Sequence, residues 1–160
     1  MNKTIFISIF LFMMVSTALF TSCSKDDPFE EVTSDSTTWR EPYHTMGTSM
    51  EQVKLYMASS QADFTPYNSQ AYTLGYSKDE DMCGVLYCFS PVTDELYSVI
   101  ATEPRSLKAV VHKTLKEHYT FVSDPETGNV CYFNEDKSLV VMVNDCDDSY
   151  CNVVYTKVTK

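Results

Sequence analysis

Cys23 is a thiol with a specific chemical opportunity. Thr4 to Phe20 is a near-continuous apolar run without charge, Lys3 precedes it, and the small residues Thr21 and Ser22 lead into Cys23. A positive start, an apolar middle and small residues at a cleavage point are the order an export signal uses. A cysteine at the cut can carry a diacylglycerol on its sulfur and become the new N-terminus. The expectations are therefore a signal peptide over 1–22 and lipid attachment at Cys23. A run of this length is also near the lower limit for spanning a bilayer. A transmembrane anchor and a plain secretory signal are thus the competing readings. The cysteine that closes the run, and the polar residues that begin at once, favour lipid.

The remaining cysteines are Cys83, Cys88, Cys131, Cys146 and Cys151. An exported setting permits disulfides, and an odd number leaves at least one outside any intramolecular bridge. Cys146 and Cys151 flank a polar loop and could close a hairpin as a disulfide. Cys83/Cys88 and Cys146/Cys151 share a Cys-x4-Cys spacing that zinc could use, but aspartate-rich surroundings in an exported protein favour disulfides. His44, His112 and His118 read as solvated surface residues, and the spacing of the last two puts them on different faces of one helix. A Cys–His nucleophilic pair has no local motif behind it. Asp145, Asp147 and Asp148 in "NDCDDSYC", and Asp79, Glu80 and Asp81 in "SKDEDMC", are oxygen ligands of the kind Ca²⁺ takes. Neither run has the Gly and distal Glu of an EF-hand, and polar turns use the same residues. No phosphate-cradling Gly-rich loop and no Gly-x-Ser-x-Gly occurs. The sequence assigns no catalytic residue, no metal and no cofactor, and the reading is not an enzyme.

Charge narrows the partners. Lys3 is the only charged residue in 1–22, so the rest of the chain keeps 11 basic residues against 22 acidic ones, −11. That balance argues against nucleic acid, whose phosphates need Lys and Arg, and against electrostatic docking on anionic lipid. Membrane attachment would come from the acyl chains on Cys23. Residues 24–38 are Ser, Thr, Asp and Glu with little apolar content, and read with Cys23 as a disordered tether over 23–38. Fully extended, it would reach about 50 Å. Trp39, the single tryptophan, marks where order is expected to begin, and 39–160 reads as one domain. The eleven tyrosines suit strands and, where exposed, contact with proteins or sugars.

The elements follow from periodicity. Thr48 and Glu51 have capping-box spacing, and Met50, Val53 and Met57 then share a helix face, with Tyr56 beside them. Residues 60–70 read as loop. "AYTLGYS", "GVLYCFS" and "ELYSVIA" read as strands, with Tyr72, Leu74 and Tyr76 on one side of the first and Val85, Tyr87 and Phe89 on one side of the second. Pro104 suits a first helical turn, and Leu107, Val110, Val111 and Leu115 form an amphipathic stripe. "YTFVS", "NVCYFN", "SLVVMVN" and "CNVVYTKV" complete the strands, with turns at "DPETG" and "NED". The halves 47–100 and 103–158 echo each other, each a helix followed by strands. The fold class is α+β: an antiparallel sheet with two helices packed on one face, or a duplicated α-β-β-β unit.

Three stretches resemble known patterns. Phe20-Thr21-Ser22-Cys23 resembles a lipobox. Ser24-Lys25-Asp26-Asp27 resembles the surface-export signal of Bacteroidota lipoproteins, which implies an outward-facing position on the outer leaflet. "GTSMEQVKLYM", Gly47 to Met57, resembles the helix start of small outer-membrane assembly lipoproteins of the SmpA/OmlA type and of β-lactamase-inhibitor-protein-like domains. The chain is also similar to small Bacteroidota-type surface lipoproteins of unknown function. These resemblances imply binding or scaffolding. The expected function is a membrane-anchored, non-enzymatic binding or accessory module for a protein or glycan at the cell surface. The alternative is a periplasm-facing outer-membrane assembly or envelope-maintenance factor.

Overall fold

A helix begins where a side chain can satisfy its orphan amides. Here that residue is Ser49: its Oγ accepts from Gln52 N–H while its own N–H donates to Gln52 Oε1 at 3.0 Å, closing a capping box. The cap is thus one residue beyond the Thr48/Glu51 pair expected. The structure, a computed structural model, describes residues 38–61, 63–78, 83–123 and 130–159. The signal peptide, Cys23, Ser24 to Asp27 and the tether as far as residue 37 lie outside them, as do Asp79, Glu80 and Asp81 and the "DPETG" turn.

Helix α1 (Met50–Ser60) buries Val53 and Met57, as its stripe predicts. It leads into strand β1 (Phe64–Gln70), β2 (Thr73–Lys78), β3 (Gly84–Phe89) and β4 (Leu96–Pro104). A 3-10 turn (Arg105–Leu107) and helix α2 (Lys108–His118) follow, then β5 (Thr120–Ser123), β6 (Val130–Phe133), β7 (Leu139–Asp145) and β8 (Tyr150–Lys157). The fold is α+β, with two helices and one eight-stranded antiparallel sheet in the order β1-β2-β3-β4-β8-β7-β6-β5. Among the described residues no helix is long and apolar enough to cross a membrane.

Three expectations are corrected. Residues 64–70 form β1 rather than loop; it is an edge strand, mostly exposed and bulged between Pro66 and Asn68, and such a strand needs no apolar alternation. Tyr72 sits in the β1–β2 turn and is exposed, apart from the buried Leu74 and Tyr76. Pro104 ends β4, opposite Tyr150, and the helix starts at Lys108. Four strands therefore follow each helix, not three in the first half.

The register aligns one row of side chains across seven strands: Leu74, Tyr87, Val99, Tyr155, Val141, Tyr132 and Phe121. All but Phe121 are buried. With Val53, Met57, Val111 and Leu115 from the helices they make one hydrophobic core. Two glycines are needed where they stand. An added Cβ at Gly84 would meet the backbone oxygen of Tyr76 on the neighbouring strand β2 at 2.5 Å. Gly47 adopts φ +88°, a left-handed value that glycine takes without strain. Its N–H bonds Leu96 O at 2.8 Å, tying the start of α1 to the start of β4.

Candidate functional site

Three of the tyrosines in that row are fully buried, and a buried hydroxyl must find a partner. Each finds it in a different overlying segment. Tyr87 O–H donates to Met57 Sδ of α1 at 3.2 Å. Tyr132 O–H meets His112 Nδ1 of α2 at 2.6 Å. Tyr155 O–H, on the central strand β8, donates to Glu41 Oε2 at 3.0 Å. The segment that begins at Trp39 thus supplies the third cover. Trp39 is itself buried and donates from Nε1 to Glu103 Oε1 of β4 at 3.0 Å. Tyr43 packs on Tyr56 of α1, ring centroids 4.6 Å apart. His44 stacks on Tyr155, also at 4.6 Å.

Glu41 is the hub. Its carboxylate also accepts from Tyr119 O–H at 2.8 Å and from His118 Nδ1 at 2.5 Å, and His44 Nε2 is 4.0 Å away. His44 Nδ1 lies 2.7 Å from Pro42 O, and its Nε2 is 2.9 Å from Tyr119 O–H. Burial, with the Glu41 charge alongside, holds both the Tyr119 and Tyr155 hydroxyls above the usual phenol range, so both keep their protons. Burial likewise pushes the Glu103 carboxyl up, against the pull of its Trp39 hydrogen bond. The histidines expected as solvated residues are thus mostly engaged. His112 and His118 do occupy different faces of α2, one at Tyr132 and the other at Glu41. The signal available in the sequence was the run Trp39-Arg40-Glu41-Pro42-Tyr43-His44, aromatic and titratable residues in close order directly after a polar stretch.

His112 carries a prediction. Burial pushes its pKa down to about 4, with Lys108 and Lys116 adding to the effect. The folded chain keeps it neutral where an unfolded histidine binds a proton at about pH 6.5. Its contribution to stability is full above that value and is lost as pH falls toward 4. Discounted for partial exposure, the loss is about 1–2 kcal/mol. In urea unfolding, wild type should lose that much more than His112→Gln between about pH 7 and pH 4.5; equal losses contradict the assignment.

The acidic loop behaves as a turn. Asp147 Oδ1 accepts from the N–H groups of Ser149 and Tyr150 at 2.7 and 2.9 Å. Asp145 pairs with Lys108 Nζ at 2.8 Å and with Arg105 at 3.5 Å, and Asp148 reaches Arg105 at 3.7 Å. Among the described residues no three His, Cys, Asp or Glu side chains gather as a metal set. The expected bridge between Cys146 and Cys151 is not formed: both are thiols, one exposed and one fully buried. The register pairs Cys151 with Asp145, while Cys146 N–H bonds Tyr150 O, so neighbouring ladder positions direct the two thiols differently. Burial raises the Cys88, Cys146 and Cys151 thiols, the last to about 11.

The alternate positions of the strands form the other sheet face. Leu86, Ile100, Val154, Met142, Cys131 and Val122 are consecutive ladder partners from β3 to β5, and all are half-buried. A polar row runs alongside, in which Thr102 donates to Asn152 at 2.9 Å and Asn152 pairs with Asn144. No protein-family model, curated protein or solved structure matches the chain.

Proposed function

We propose that the chain is a lipid-anchored, non-enzymatic binding or accessory module, held at the outer membrane through Cys23 and facing outward, that contacts a protein or glycan with the Leu86–Val122 sheet face. The finer architecture belongs to the same reading: a duplicated helix-plus-sheet unit with both helices on the Tyr87–Tyr132 face. The strand order supports the duplication, since each half is a four-strand meander and the two join through their last strands, β4 and β8. The contacts of Met57 with Tyr87 and of His112 with Tyr132 support the shared face.

One observation carries the binding reading. The second face of an antiparallel sheet is ordinarily polar; this one carries an unbroken apolar row beside a polar one. An apolar centre with a polar rim is the anatomy of a protein interface. The raised thiols of Cys88, Cys146 and Cys151 argue against these three as nucleophiles, because a nucleophilic cysteine needs its pKa lowered. The test is a photo-cross-linking residue at Met142 in cells, beside one at the exposed Lys54 of α1. A discrete adduct at Met142 alone, abolished by Ile100→Glu, is expected. Equal labelling at both positions, or none, overturns the contact surface.

A further inference from the structure

We propose that the partner of the Leu86–Val122 sheet face is a second copy of this chain, packed face to face as a two-fold dimer. The dimer rests on the reading of that face as a contact surface, and gives it an occupant. Charge is missing from this face. The charged residues of the strands are Lys78, Glu103, Asp145 and Lys157. Strand alternation puts every one of them on the Tyr87–Tyr132 side, in step with Tyr76, Ala101, Val143 and Tyr155. The alternate ladder positions run from Thr65 and Asn68 on β1 to Thr120 and Val122 on β5. Among the described residues they hold no Asp, Glu, Lys, Arg or His. Yet the chain has 12 basic and 22 acidic residues, a net charge of −10.

That lack of charge selects the occupant. A basic or acidic partner gains no electrostatic match from such a face. Two copies of an acidic chain repel where their charged surfaces meet, so the uncharged face is where they can approach. The apolar row has a polar row on each side, with Thr102 and Asn152 in one and Ser98 and Thr156 in the other. A two-fold axis in the plane of the face lays the apolar row on its own copy and brings polar rows together. Covering those rows costs little where hydroxyls are already bonded within the chain. Thr102 donates to Asn152 at 2.9 Å, and Ser98 donates to Tyr155 O at 3.0 Å. The area suffices. Eight strands about 4.8 Å apart and three rows about 6.8 Å apart span roughly 38 by 20 Å, or about 750 Å² per copy. A standard interface takes about 800 Å² per partner. Twisted sheets stack about 10 Å apart with their strands turned by about 30°.

The test uses cells that express two copies of the full chain with different epitope tags, one of them carrying a photo-cross-linking residue at Met142. We expect an adduct at the mass of two chains that carries both tags, and none when the cross-linking residue is at the exposed Lys54 instead. Ile100→Glu in both copies sets like charges against each other across the interface and should cut the yield by about tenfold or more. Asn144→Lys, at an exposed position of a polar row, should cut it in the same way with less burden on folding. It decides the matter should Ile100→Glu not fold. A Met142 adduct with a different protein, and no doubly tagged product, overturns the second copy and leaves the contact surface standing. A cross-linking residue at Met142 that captures nothing overturns both. A doubly tagged adduct that persists undiminished in Asn144→Lys, or that forms equally from Lys54, overturns the dimer.

Discussion

Glu41→Ala should destabilise the folded domain by about 2 kcal/mol, beyond the roughly 1 kcal/mol expected for Tyr155→Phe. The two substitutions break the same hydrogen bond from opposite ends. Removing the hydroxyl leaves an acidic side chain that still accepts from Tyr119 and His118. Removing the carboxylate leaves the fully buried Tyr155 hydroxyl without its acceptor, while Tyr119 O–H keeps His44 Nε2 within reach at 2.9 Å. An orphaned buried donor costs about 1–3 kcal/mol, and the relief of no longer desolvating a carboxylate offsets only part of that loss. Urea unfolding of both variants near neutral pH measures the difference. Equal losses would mean that Glu41 is not the hub the distances describe.

Leu115→Ala should be comparably severe, about 3–4 kcal/mol. Leu115 is fully buried on α2 within the core that contains Tyr132 and Val141. Truncating it removes transfer energy and opens a cavity among partners that a sheet holds in register. Leu55, exposed on α1, is the matched comparison, and Leu55→Ala should change stability by less than about 0.5 kcal/mol. Similar midpoints for the two variants in thermal unfolding would show that α2 does not carry the core contact assigned to it.

These residues also show what could be read beforehand. Val53, Met57, Val111 and Leu115 were legible because a helix that buries one face must repeat apolar residues along it. The alternation of Val85, Tyr87 and Phe89 was legible for the matching reason in strands, and all three are buried. Strand β1 was not: at the sheet edge, with Pro66 and a bulge, it is held by backbone pairing to β2 more than by buried side chains. The helix cap was misplaced by one residue because Thr48 and Ser49 each stand three residues before a suitable partner, and the backbone decides between them. The cluster around Glu41 was invisible for a different reason. Glu41 and Tyr155 are 114 positions apart, and Glu41 and His118 are 77 apart. No local pattern encodes that convergence. Only the pairing of β8 beside β4 brings Tyr155 under the segment that starts at Trp39.

The order of covers over the buried tyrosines gives the domain a physical logic. Helix α1 satisfies Tyr87, the segment 38–47 satisfies Tyr155, and α2 satisfies Tyr132. The same segment is the one that continues toward Cys23.

In the proposed reading this domain is held at the cell surface by lipid on Cys23. Protease shaving of intact cells tests it most directly, with wild type beside a Cys23→Ala variant and a combined Lys25→Ala, Asp26→Ala, Asp27→Ala variant. The account predicts loss of the wild-type domain from intact cells, protection of the triple variant, and release of the Cys23→Ala chain from the membrane fraction. A wild-type domain that resists protease until the outer membrane is opened would contradict the outward placement and favour the periplasm-facing alternative, and a Cys23→Ala chain that stays in the membrane would contradict the lipid anchor.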